Sequence, residues 1–111
     1  MSRDAVDRLG DILDAIDRCV TYRVHLDSLD EAIASMAYDA VLRNLAVIGE
    51  AVKTLPDESR ALSPETPWSG IAGLRNVVVH EYFRVERDLV LDILENELEP
   101  LATTIRRHLA G

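Results

Sequence analysis

An internal disulfide is excluded, because the 111 residues hold one cysteine, Cys19. A lone thiol at an apolar helix position reads as a buried group in a reducing compartment. Four prolines and five glycines leave few turns, so the elements are long. Aromatics are scarce, with one Phe, one Trp and three Tyr. The apolar mass is instead Leu, Val, Ile and Ala, which favours helix packing over a sheet sandwich. No unbroken apolar run approaches the roughly 18 residues of a membrane span. The opening Met1-Ser2-Arg3-Asp4 leads into charge rather than into a signal peptide, so a cytoplasmic chain with no membrane contact is expected. Cations are outnumbered 12 to 20, for a net charge of −8. That argues against general nucleic-acid binding, which needs cations to meet phosphates, but it leaves room for a small local cationic site. The three histidines, His25, His80 and His108, are scattered without the spacing of metal ligands.

What is present is helical periodicity over a length that suits one domain, residues 1–111. Val6, Leu9, Ile12, Leu13, Ile16, Cys19 and Val20 make one apolar stripe, which predicts a helix from Arg3 to about Tyr22. Ser28-Leu29-Asp30-Glu31 has the pattern of a capping box, with Ser28 at the cap. It opens a second helical region, with a bend allowed at Ala34-Ser35-Met36 and a stop at Pro56. Residues 56–67 read as a loop with one turn of helix near Glu58. Thr66 is placed to cap a helix with Pro67 at its first position, running to about Tyr82. Gly70 and Gly73 weaken that helix, and close approach by a neighbouring helix is the expected return. A last helix from Val85-Glu86 to about Leu109 contains Pro100, which should kink or split it. The sum is an all-α up-and-down bundle of four or five helices.

One stretch carries chemistry: Arg75, Asn76, His80 and Tyr82 fall within eight residues. An α-helix turns about 100° per residue, so Asn76 and His80 stack on one face, whereas Arg75 and His80 stand about 140° apart. The latter two cannot both point straight at one small phosphate from a single regular helix. Either Arg75 wraps round on its long stem near a kink or helix end, or a second copy of the helix supplies the missing group. RNA carries its own nucleophile, the 2′-hydroxyl. Cleavage needs a base for that hydroxyl, an acid for the departing 5′-oxygen and positive charge at the phosphate. An imidazole, which titrates near pH 6.5, can serve as base or acid. A guanidinium stays charged and matches two phosphate oxygens. Asn76 can donate to phosphate or hold one imidazole tautomer. The same residues also admit a structural account, with Arg75 in an ion pair, Asn76 at a helix end, His80 in the core and Tyr82 packed.

Arg75-Asn76-Val77-Val78-Val79-His80-Glu81-Tyr82 resembles the R-x(4)-H-x-Y signature of HepT-like toxins, members of the HEPN superfamily of helical ribonucleases. Arg43-Asn44-Leu45-Ala46-Val47-Ile48-Gly49-Glu50-Ala51-Val52-Lys53 resembles another helix of that family. Trp68, Ile71 and Leu74 before the Arg, and Phe83 after the Tyr, agree with it, and the likeness runs over roughly residues 3–101. The resemblance implies a metal-independent endoribonuclease without a cofactor, built as a homodimer with the motif helices at the interface. Arg75 and His80 would be catalytic and Asn76 would support them. It further implies a toxin paired with an MNT-type nucleotidyltransferase antitoxin that silences it by AMP transfer to Tyr82. RNA, with tRNA among the candidates, is the implied substrate. A cleft in so acidic a chain would draw its positive charge from Arg75 of both copies, with Arg43, Lys53 and Arg84 as candidate RNA contacts. The alternative is a non-catalytic helical module that binds a nucleotidyltransferase.

Overall fold

The computed structural model describes residues 2–80 and 87–111, with backbone alone for 75–80. Its first helix, α1 (Arg3–Arg23), starts where Ser2 accepts the Ala5 amide at 3.1 Å. That bond satisfies one of the donors every helix start leaves open. Ala5, Leu9, Ile12, Ala15, Ile16 and Cys19 line its buried side. Val6 and Val20, expected in that stripe, lie at its margin and stay more than two-fifths exposed. Cys19 is fully buried, and burial pushes its thiol up to about 12, so it stays protonated at neutral pH.

The second helix, α2 (Glu31–Lys53), is continuous. The bend allowed at Ala34-Ser35-Met36 does not form, since no residue there breaks the backbone ladder. The cap is Asp30, whose carboxylate accepts from the Ala32 and Ile33 amides at 3.0 and 3.4 Å. Ser28, expected at the cap, instead accepts the Asp30 amide at 3.2 Å and tightens the turn before the helix. Although no unbroken apolar run was expected to reach membrane length, α2 is long and apolar enough to do so by length and composition. Its apolar side is the centre of the bundle, however: Val41, Leu42, Leu45, Ile48 and Val52 are each at most 2% exposed. α2 packs on α1 along one side and on the fourth helix along another.

A five-residue helix, α3 (Asp57–Ala61), follows Pro56. The fourth helix, α4 (Trp68–His80), begins one residue later than expected. The Pro67 carbonyl accepts the Ile71 amide at 3.1 Å, so Pro67 rather than Thr66 takes the cap position. Trp68 anchors this start. Its indole N–H donates to the carbonyls of Arg60 and Ser63, both at 3.0 Å, while its rings enter the core. The expected continuation of α4 to Tyr82 falls outside the described residues, as does the expected start of the next helix at Val85-Glu86.

The glycines correct another expectation. A Cβ added at Gly70 or Gly73 meets nothing within 4 Å, so among the described residues no helix approaches them closely. Gly70→Ala should therefore stabilise the folded chain by about 1 kcal/mol, the helix-propensity difference with no steric cost, measured as a higher urea midpoint. A lower midpoint would show that this face is covered.

The final helical region is split into α5 (Arg87–Asn96) and α6 (Leu98–Ala110). The break at Glu97 lies three residues before Pro100. A proline cannot donate to the carbonyl four residues back and its ring crowds that carbonyl, here that of Asn96. Splitting the helix puts Pro100 in the first turn of α6, where no intrahelical donor is needed. Val90, Leu94, Leu98, Leu101 and Ile105 are buried, while Leu89 and Leu109 are 48% and 38% exposed. Polar ties close the bundle: Arg23 to Glu95 at 2.9 Å, and Arg87 to the Leu26 carbonyl at 2.9 Å and to Asp27 at 3.1 Å.

Candidate functional site

Residues Arg75, Asn76 and His80 all belong to α4, which is regular from Trp68 to His80. Helical register alone therefore orders its sides. Ile71, buried in the core, occupies the register position about 180° from His80. His80 thus takes the position diametrically opposite the core side, together with Asn76, Gly73 and Ser69 at intervals of three and four. Ser69 is exposed and the space over Gly73 is open. Arg75 falls seven residues after Trp68, in register with the core-facing side. The 140° separation stands in the folded chain, because α4 has no break between the two positions.

The remaining candidates are spread out. Arg43 and Lys53 are exposed on α2 and make no ion pair among the described residues. Lys53 sits in the last turn of α2. Arg43 lies ten residues back along α2. Tyr82 and Arg84 lie outside the described residues. The structure thus brings Asn76 and His80 onto one helix face, separates Arg75 from them, and leaves Arg43 and Lys53 on a different helix.

Two of the basic residues near the C-terminus have partners of their own. His108 shares a hydrogen with Ser63 at 2.9 Å, and Arg106 lies 3.7 Å from Asp17. No group of metal-ligating side chains occurs among the described residues. Tyr38 of α2 is half-buried near Arg87. Burial raises its pKa most, the Arg87 charge opposes that, and Asp39 adds to it.

A feature that sequence reasoning passed over is the small-residue approach to His80. Ser69 and Gly73 precede Asn76 and His80 on the same register, and that spacing was the available signal. Small residues there leave the backbone side of the face low, so a second helix or a nucleotide could come near it.

Comparison with known proteins bears on what this face does. The family model described as HepT-like ribonuclease matches residues 12–108. A protein named as a probable ribonuclease HepT, from Thermococcus cleftensis, is 31% identical over 91% of this chain and 92% of its own length. A protein of Methanocaldococcus jannaschii, provisionally named an RNase, is 36% identical over 86% of this chain and 83% of that one. A second protein from that organism is 30% identical over 95% of this chain, and its name joins a gamma-glutamylcyclotransferase to a provisional RNase. The chain spans about half of that relative, 47%. No solved structure matches the chain significantly.

Proposed function

Since the chain belongs to the HepT-like ribonuclease family, we propose that it cuts RNA by attack of a 2′-hydroxyl on the neighbouring phosphodiester, with His80 moving protons and Arg75 holding the phosphate. The observation that carries this reading is the pairing of a family match over residues 12–108 with His80 at the position of α4 opposite the core. In the reaction, the 2′-oxygen bonds to phosphorus and the bond to the 5′-oxygen breaks. A base takes the 2′-hydroxyl proton and an acid returns one to the 5′-oxygen. The products are a 2′,3′-cyclic phosphate and a free 5′-hydroxyl. Arg75 offers a fixed fork of donors to the phosphate oxygens as charge builds there. Asn76, one turn before His80, orients the imidazole or donates to phosphate.

The 140° between Arg75 and His80 supports a shared site in a homodimer. A second copy packed along the face of Ser69, Gly73 and Asn76 would set two motif helices side by side, two His80 groups would supply an acid and a base from one gene, and each Arg75 would reach the shared phosphate round its helix on its long stem. The family resemblance extends the reading to control. An MNT-type nucleotidyltransferase antitoxin would transfer AMP to Tyr82, and the added phosphate would bring negative charge to the place an RNA phosphate must occupy. Both partners and RNA meet in the cytoplasm in this reading, and tRNA is one candidate target.

The experiment is cleavage of a labelled RNA mixture with product ends analysed by mass spectrometry. Cyclic phosphate ends, formed equally well in EDTA, are expected. Loss of cutting in EDTA with recovery on adding a divalent ion would overturn the mechanism. Incubation with a candidate nucleotidyltransferase and ATP should add AMP to Tyr82 and stop cleavage. A folded chain that neither cuts RNA nor accepts AMP would favour a non-catalytic partner-binding module.

A further inference from the structure

Between α4, α5 and α6 runs an apolar trough of about 280 Å³, continuous at Pro67, Ile71 and Leu101 with a smaller one of about 150 Å³. Its apolar lining includes Ile71, Leu74, Leu89 and Ile93, and Leu89 is 48% exposed. Among the described residues its charged lining is of one sign: Glu65, Asp92 and Glu97, with no described lysine, arginine or histidine in either part. Asp92 accepts a hydrogen bond from Asn96 at 2.7 Å, and Glu97 does not use its side chain to cap α6. None of the three carboxylates has a cationic partner among the described residues. Elsewhere on this surface carboxylates do find arginines, as Asp27, Asp57 and Glu95 show.

We propose that this trough is a docking surface for a protein partner, and that it takes an amphipathic segment whose apolar side chains are flanked by lysines or arginines. The charge decides among occupants. RNA is repelled by three carboxylates that no cation among the described lining residues offsets. A second copy of this chain meeting it about a two-fold axis would bring the same carboxylates face to face, and like charges opposed across an interface disfavour it. A cationic segment gains on both counts, because its apolar side chains cover the exposed leucine and its charges meet the open carboxylates. Gly70 lines the trough and leaves room for the occupant, since nothing lies within 4 Å of a Cβ added there. The trough also borders the helix that carries His80, so its occupant would sit beside the proposed RNA face. That places a cationic partner where it could control access. This inference goes beyond the ribonuclease chemistry and does not require it.

The test uses the full chain and two fluorescent helical peptides with leucines at the same three- and four-residue spacing, one flanked by lysines and one by glutamates. Anisotropy should show the lysine peptide binding at least tenfold more tightly, with binding weakened several-fold as salt rises from 50 to 300 mM. Asp92→Lys with Glu97→Lys should reverse the preference. Gly70→Phe, which fills the trough from an open position, should remove binding of both peptides while the chain melts cooperatively. Equal binding of the two peptides, no binding of either, or indifference to both sets of substitutions overturns the proposal. So does displacement of the lysine peptide by an RNA oligonucleotide. Conversion of a dimer to monomer by Gly70→Phe, seen by sedimentation, would assign the trough to a second copy instead. RNA cleavage is read separately, so failure of the ribonuclease reading leaves this result interpretable.

Discussion

His80→Ala is expected to lower RNA cleavage by roughly 10²–10⁴-fold, the range over which a positioned acid or base acts. The same substitution should leave the melting curve within about 0.5 kcal/mol of wild type, as for a surface change away from packing and caps. The reason is positional. His80 takes the register opposite Ile71, which is 8% exposed and belongs to the core. By that register an alanine there is expected to cost no core packing, and alanine is favourable for a helix. Cleavage assays on matched, folded samples, with circular dichroism beside them, separate the two outcomes. A variant that loses its fold together with its activity would restore the account of His80 as a core histidine. A variant that keeps full activity would remove His80 from the chemistry. Arg75→Lys offers a graded companion: charge is retained but the planar fork is lost, so activity should fall without vanishing.

Ile48→Ala should have the largest effect on stability, a loss of about 2–5 kcal/mol. Ile48 is fully buried in the C-terminal half of α2, the helix that touches both α1 and α4. Truncation removes its transfer free energy and leaves a cavity that rigid neighbours on two sides cannot close. For a chain of this size, each kcal/mol corresponds to roughly 4–8 °C in melting temperature, so a fall of more than about 10 °C is expected in calorimetry. A small shift would mean that the helices move together to fill the space. Because α2 holds α4, the damage should extend to cleavage at temperatures where wild type is still folded.

The helices themselves were legible in the sequence. Leu9, Ile12, Ile16 and Cys19 announced α1 by spacing, and Leu45, Ile48 and Val52 announced α2. The errors came where two local signals competed. Ser28 and Asp30 both suit a cap, and only the geometry of the turn from α1 put Asp30 in place. Thr66 and Pro67 competed in the same way, and the Trp68 indole, bonded to two carbonyls of the preceding loop, set where α4 could start. Pro100 announced a break without its position, which follows from the carbonyl four residues earlier.

The candidate site divides similarly. Residue types and the 140° between Arg75 and His80 follow from the chain and the helical repeat, and they suffice to state what chemistry would be needed. Periodicity, capping and proline geometry act within a few residues, so the sequence by itself determined the helical class, the register of the motif and its membership in a ribonuclease family. Only the tertiary structure decided which side of α4 stays uncovered, that Gly70 and Gly73 face open space, and that Glu65, Asp92 and Glu97 gather along one apolar trough. Those facts depend on which elements meet across the fold, as those bearing Glu65 and Asp92 do along the trough, and no local pattern can specify that.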